Sequence, residues 1–455
     1  MFRRQLLLGL LCVGVLGCDD TTVQTVVDVL IVDGDGGNPV AGLEEGTLGI
    51  GIQEGELDPQ IYELAITDGA FDWPIEFQSF VSPTRLRVEL TGSSETLRLL
   101  TAPPVFVPAL SGLFIRVVAT APSSCEKVSF NFMVAPRSRF GMALSGSFAL
   151  LAGGTSTDVQ LELLDALRWA FNTASVDDLN ALLEPLGDTR VATIDATQTL
   201  VLPADAAPFV FDIAEATAEN QRTRVDLHTG AGPRSALVSV PGLGAMVIGG
   251  EAGGVPRDGV TLVASDAETT SLQLSEPRSG AMAAAMGTDV LVVGGNEVGN
   301  AEILREGASI GEPVTSLMDR VREGGLLVGD GASRALLVGG VDDTATLRQD
   351  TVEFTSCPDA CESSTGPTWA TARLEAVLPE RSTLLIGGVD SRRVEQVRWS
   401  GDSVEIAPLL DLVEARAAAG AVVLESGAFI VGGGDDGAVR RDDFEFCVPS
   451  ELEPL

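Results

Sequence analysis

Leu291-Val292-Val293-Gly294-Gly295 and Leu336-Leu337-Val338-Gly339-Gly340 lie 45 residues apart and share one pattern, an apolar run that stops on two glycines. The pattern recurs at Leu150-Leu151-Ala152-Gly153-Gly154, Met246-Val247-Ile248-Gly249-Gly250, Leu384-Leu385-Ile386-Gly387-Gly388 and Phe429-Ile430-Val431-Gly432-Gly433. Counted between first glycines, the intervals are 96, 45, 45, 48 and 45. The long interval is double. Leu200-Val201-Leu202-Pro203-Ala204 fills it with a copy that has lost its glycines, dividing it into 50 and 46. Glycine at a strand end permits positive φ and the close approach of a neighbouring backbone.

A second marker follows the same period. An arginine opens an apolar or small-residue strand 13 to 17 residues before each of these positions: Arg139, Arg190, Arg234, Arg278, Arg322, Arg373 and Arg416. Each unit divides into four short strands. In the fourth unit these are Gly280–Met286, Val290–Val293, Ala301–Leu304 and a last strand near Gly311–Leu317. Four strands in about 45 residues, repeated seven times, predict an all-β chain with a seven-bladed β-propeller.

The arginine-opened strand, the apolar strand and the glycine pair resemble kelch repeats over roughly residues 126–447. The kelch pattern also carries a tyrosine and a tryptophan after the glycines. Here no repeat contains a tyrosine, and Trp169, Trp369 and Trp399 are the only aromatics near the tryptophan position.

The last unit ends at Asp443–Phe446 and Cys447, one strand short, while a spare strand at Lys127–Val134 precedes the first unit. If the spare strand completes the last blade, the ring closes with chain from both ends and no edge stays unpaired. Besides Cys12 and Cys18, the chain has Cys125, Cys357, Cys361 and Cys447, which allow three pairings. Closure would put Cys125 and Cys447 on neighbouring strand ends, at disulfide distance. Cys357 and Cys361 would then pair across the equivalent turn of the fifth blade, whose extra residues account for its 48-residue interval. The propeller is thus assigned to 125–448, with 449–455 a C-terminal tail.

The N-terminal residues set the compartment. Arg3 and Arg4 precede an apolar run from Leu6 to Leu16, too short for a helix to span a bilayer of about 30 Å. Residues 1–17 are read as a signal peptide. Val15-Leu16-Gly17-Cys18 resembles a bacterial lipobox, which implies lipidation of Cys18, with 18–25 as a tether. In an exported chain the four remaining cysteines are expected as disulfides. Residues 26–124 carry strands at Val26–Val32, Leu48–Ile52, Ile61–Ile66, Ile75–Phe80, Leu86–Leu90, Thr96–Leu100 and Leu113–Val118. They predict a β-sandwich of immunoglobulin or transthyretin-like type. Asp33, Asp35 and Asn38 read as a solvated hairpin, because no bidentate glutamate follows as a calcium loop requires.

Composition narrows the chemistry. The 455 residues carry 29 basic and 65 acidic side chains, a net charge of −36 that repels nucleic acid. One histidine, His228, one tyrosine, Tyr62, and one lysine, Lys127, leave little for histidine-based triads or histidine-rich metal sites. His228 reads as a surface residue. No helix or lysine follows the glycine pairs, so they are not phosphate loops.

One constellation remains. Glu251, Glu297, Asp342, Asp390 and Asp435 directly follow the glycine pairs, with Asp343 and Asp436 beside two of them. In a kelch-type blade these positions open on the same face as the opening arginines. They would either pair with those arginines or form a polar face for a ligand, a glycan or calcium. The expected function is a cell-envelope lipoprotein, monomeric and membrane-anchored through lipid, displaying its propeller as a protein- or glycan-binding module without a catalytic constellation or cofactor. The alternatives are a propeller enzyme, a glycan hydrolase or lyase using carboxylates at the mouth, and a structural envelope spacer.

Overall fold

A computed structural model describes residues 24–31, 45–54, 58, 60–68, 75–78, 84–92, 100–107 and 114–120, and most of 123–449. Within the latter span the segments 129–132, 155–158, 167–168, 172–175, 216–219, 228–233, 296–299, 315–321, 343, 425 and 437–438 are not described. Cys18, the hairpin around Asp33, His228, Glu297 and Asp343 therefore lie outside the described residues.

The chain is all-β, and its C-terminal part is a seven-bladed propeller. The first strands of six blades are Gly141–Ser145, Thr189–Thr193, Ala236–Val240, Met282–Met286, Glu323–Gly329 and Gly420–Val423; in blade six the segment around Val377 holds that position and Leu384–Ile386 is the second strand. Each pairs antiparallel with the next strand of its own blade. The sixth blade is a three-stranded sheet extended by a bridge between Val377 and Ile386. Blade four has strands at Met282–Met286, Asp289–Val293, Ala301–Leu304 and Glu312–Val314, close to those expected.

The core is seven cores, one per interface between neighbouring blades. Leu163 and Phe209 pack between blades one and two, and Leu200 and Val247 between two and three. Ile248 and Val292 fill the next interface, then Leu291 and Phe354, and Val338 and Leu385. Ile386 and Phe429 join blades six and seven. Met142 and Phe446 join seven back to one, where Trp169 meets Phe446 edge-on with ring centroids 5.1 Å apart. No blade has a core of its own. Each apolar face is buried only when its neighbour is present.

The glycine pairs have a specific cause. In five of the six pairs the first glycine packs on a backbone carbonyl of the next blade's entry segment, and Gly339 packs on the Trp369 ring instead. A Cβ on Gly249 would stand 2.6 Å from the Arg278 carbonyl, and one on Gly433 2.7 Å from that of Arg137. The second glycine donates to the same carbonyl, Gly250 to Arg278 at 2.8 Å and Gly434 to Arg137 at 2.7 Å. Both glycines of each pair have positive φ. This corrects the last repeat: Gly433 and Gly434 form the pair, while Gly432 belongs to the strand Phe429–Gly432.

The ring closes as expected, with a shift. The outer strand of blade seven is Ser124–Lys127, earlier than the expected Lys127–Val134, and it pairs antiparallel with Phe444–Val448. Cys125 stands directly opposite Cys447 and is bonded to it. Lys127 adds an ion pair to Glu414 at 2.6 Å. Cys357 and Cys361 form the second disulfide, in the turn between Val352–Thr355 and Glu362–Thr365.

Before the propeller, the described residues form seven strands in a three-stranded and a four-stranded sheet. One expectation there shifts. The strand placed at Thr96–Leu100 runs over Leu100–Val107 instead, through Pro103 and Pro104. It is an edge strand with a register shift between Leu86 and Val88 of its partner, which is where a sheet tolerates proline.

Candidate functional site

The opening arginines occupy three different positions, and this separates scaffold from surface. In four blades an arginine enters the blade interior and meets a glutamate of the third strand. Arg137 Nη2 lies 2.7 Å from Glu162, and Arg278 Nε 2.6 Å from Glu302, with all four side chains 0 % exposed. Arg373 meets Glu395 at 2.6 Å and Arg416 meets Glu445 at 2.8 Å. Each guanidinium also donates to a glycine-pair carbonyl: Gly153, Gly294, Gly387 or Gly433. In three blades the glutamate's other oxygen accepts a backbone N–H three residues before the arginine, from Val134 at 2.8 Å, Ser275 at 2.7 Å and Val413 at 2.6 Å. In blade six Trp369 Nε1 and the Thr371 hydroxyl take that place. Burial alone would raise Glu395, but the bonds from Thr371, Trp369 and Arg373 outweigh it and hold the carboxyl below its ordinary range.

Blade one therefore uses Arg137, not Arg139. Blade two uses neither partner: Gly187 occupies the arginine position, since its carbonyl receives the Gly154 N–H, and Val210 occupies the glutamate position. In blade three Thr261 stands where the glutamate would be. Blade five keeps Arg322, but Val352 replaces the glutamate and the guanidinium turns to Asp350.

Two residues after the arginine position the backbone enters the left-handed region, where a side chain costs roughly 1 kcal/mol that glycine does not. Arg139, Arg234, Gly280, Gly324, Glu375 and Ala418 all have positive φ there. Backbone bonds link these positions around the mouth. Ala418 N–H donates to Glu375, Arg139 to Ala418, Thr189 to Arg139 and Gly280 to Arg234. Arg139 and Arg234 are thus surface residues, 57 % and 44 % exposed. Each reaches across one blade to an acid, Arg139 to Glu375 at 2.6 Å and Arg234 to Glu323. The bond from Glu375 raises Arg139 above the ordinary guanidinium range.

The first strands enclose an axial channel of about 540 Å³ that touches all seven blades. Arg190 lines it at the mouth, where protein surrounds the side chain while solvent still reaches it. Desolvation lowers its guanidinium to about 10. It donates to the Ser235 carbonyl and, among the described residues, has no carboxylate partner. At the opposite end Glu380 accepts from the Thr193 N–H at 3.1 Å and from its hydroxyl at 2.8 Å, joining blade six to blade two. Burial raises the Glu380 carboxyl, against the bonds from Thr193.

The acids after the glycine pairs are not equivalent. Glu251 accepts from the Ser279 hydroxyl at 3.0 Å and lies 3.8 Å from Arg234. Asp342 is buried and folds its own turn, accepting from the Thr344 hydroxyl at 2.6 Å and the Thr346 N–H at 3.0 Å. These bonds hold its carboxyl well below the carboxylate range. Asp390 is exposed with a positive φ of 54°. Asp435 exchanges two backbone bonds with Ala417. Glu251 and Asp342 engage their carboxylates locally, and among the described residues Glu251 shows the expected contact with its own blade's opening arginine.

No family model matches the sequence, and no curated protein does. Among solved structures, one titled "Structure of YjhT" is similar with a TM-score of 0.42 and 10% sequence identity, over 69% of this chain and 95% of that chain.

Proposed function

We propose that the chain is a lipid-anchored protein of a bacterial cell envelope that presents a kelch-like propeller as a binding module for an envelope protein or glycan. The observation that carries this reading is the mouth itself. One left-handed backbone geometry recurs around it in six blades, yet its side chains are Arg139, Arg234, Gly280, Gly324, Glu375 and Ala418. The buried arginine–glutamate pairs hold the scaffold, which leaves the mouth positions open to vary in charge and size. That division between fixed frame and variable face suits recognition.

A carboxylate enzyme finds less support. A general acid needs a raised carboxyl facing substrate. Asp342 is lowered, and the raised Glu380 sits at the far end of the channel bonded to Thr193. The anchor rests on the resemblance of Val15–Cys18 to a lipobox, and among the described residues no helix is long and apolar enough to cross a membrane.

The test uses the detergent-solubilised full chain as bait for envelope proteins and glycans, beside a variant with Arg139, Arg234 and Glu375 all changed to Ala. A partner captured by the wild type and lost by the folded variant supports the module. Equal capture by both would reject the mouth as the binding face. Cys18→Ser is expected to move the protein out of the detergent phase; unchanged partitioning would reject the anchor.

A further inference from the structure

We propose that the part of the mouth formed by blades one to three binds a small organic carboxylate, with Arg190 holding the carboxylate and Arg139 and Arg234 flanking it. This rests on the binding-module reading and gives that site its ligand chemistry.

The three arginines line one pocket of about 410 Å³. All three follow the period of the repeat, and none takes part in a buried arginine–glutamate pair. Blades two and three, which supply Arg190 and Arg234, carry Val210 and Thr261 where other blades have the glutamate. Their arginines are free of the scaffold's use. Arg139 and Arg234 also hold left-handed backbone positions that blades four and five fill with Gly280 and Gly324. The fold does not need a side chain there.

Charge counting selects the ligand class. Arg139 is balanced by Glu375, and Arg234 by Glu323. Asp188 also lines the pocket and acts on Arg139. Of the three arginines in this pocket, Arg190 alone has no carboxylate within ion-pair distance among the described residues. With Glu375, Glu323, Glu251 and Asp188 close by, the pocket holds no surplus positive charge, so a monoanion suits it better than a phosphate dianion, and the guanidinium fork matches a carboxylate's two oxygens. The remaining wall includes Phe140, Leu202 and Pro203, which suit an organic body rather than a bare ion. In a chain of net charge −36 the surrounding field disfavours anions. Binding there must come from short-range contacts with Arg190, not from steering.

The experiment is calorimetric titration of the detergent-solubilised full chain with glucuronate, glucose, benzoate and inorganic phosphate. Glucuronate or benzoate is expected to bind, with phosphate at least tenfold weaker and glucose undetected. Arg190→Gln should weaken the carboxylate at least tenfold at unchanged circular dichroism. Arg190→Lys, which keeps the charge and loses the fork, should fall between. Absence of binding by either carboxylate, phosphate binding as tightly, or full affinity in a folded Arg190→Gln protein would overturn the proposal. If glucose bound equally well and Arg139→Ala abolished its binding, the module reading would stand while the carboxylate assignment fell.

Discussion

Replacing Glu302 by Gln tests whether the buried arginine–glutamate pairs hold the blades. Glu302 accepts from Arg278 Nε at 2.6 Å and from the Ser275 N–H at 2.7 Å, with no solvent at either side chain. Neutralising it leaves a buried guanidinium without its counter-charge, which costs about 3–5 kcal/mol. For a propeller of about 325 residues, an unfolding entropy near 2.1 cal/mol/K per residue converts this to a fall in Tm of about 4–7 °C. The double variant Arg278→Met, Glu302→Val is expected to recover to within about 1–2 kcal/mol of wild type, because removing both charges removes the desolvation cost with the attraction. The molecule already contains that solution in blade two, where Gly187 and Val210 replace both partners. Thermal and urea unfolding of the two singles and the double would measure the coupling, expected above about 2 kcal/mol. A Glu302→Gln protein within about 1 kcal/mol of wild type, or a double variant costing the sum of the singles, would refute the reasoning.

Removing the clasp disulfide by Cys125→Ser with Cys447→Ser should destabilise the ring by up to about 5–6 kcal/mol on chain entropy, since the bond closes a 322-residue separation; non-reducing peptide mapping that joined Cys125 to Cys357 or Cys361 would reject the clasp. Asp342 has a lowered folded pKa, so its stabilising effect is present above the unfolded value of about 3.8 and is lost as pH falls through the folded one. Asp342→Asn should therefore lower Tm at pH 7, with the gap to wild type narrowing as pH falls below about 3.8, and parallel curves would count against the turn. Glu380 has a raised folded pKa, so stability falls as pH rises through the window above the unfolded value of about 4.3. Glu380→Gln should flatten the fall in Tm as pH rises above about 4.3, and an unchanged slope there would count against a raised Glu380.

Much of the architecture was legible because the repeat is written in residues with few conformational alternatives. The glycine pairs mark where one blade's backbone meets the next, and no other residue fits on the Arg278 or Arg137 carbonyl. The disulfides followed from the ring's arithmetic. The arginines were harder. Arg137-Ser138-Arg139 offers two candidates, and only the positive φ at Arg139 tells surface from interior. Their true partners were missed because Glu162, Glu302, Glu395 and Glu445 lie 22 to 29 residues downstream. A signal was present in three of them: Glu162, Glu302 and Glu445 each stand between two apolar residues, as in Leu161-Glu162-Leu163. The acids after the glycines looked more inviting because they were near in sequence, but Asp342 is spent on its own turn.

The clasp also decides how the molecule answers force. Everything N-terminal to the propeller connects through Ser124, the first residue of the outermost strand of blade seven. Tension from that side peels the strand from its partner like a zipper, one rung at a time, a far weaker geometry than shear. The first rung is Ser124 with Val448, and the second is Cys125 with Cys447, which is covalent. Peeling stops after one residue. The pull passes instead into Cys447, the penultimate residue of a strand buried along its whole length. Under reducing conditions the same pull would open the ring at its seam and expose two blade faces together. The disulfide thus sets the mechanical polarity of the propeller: strong against traction on the N-terminal segment while oxidised, and unzippable from that end once reduced.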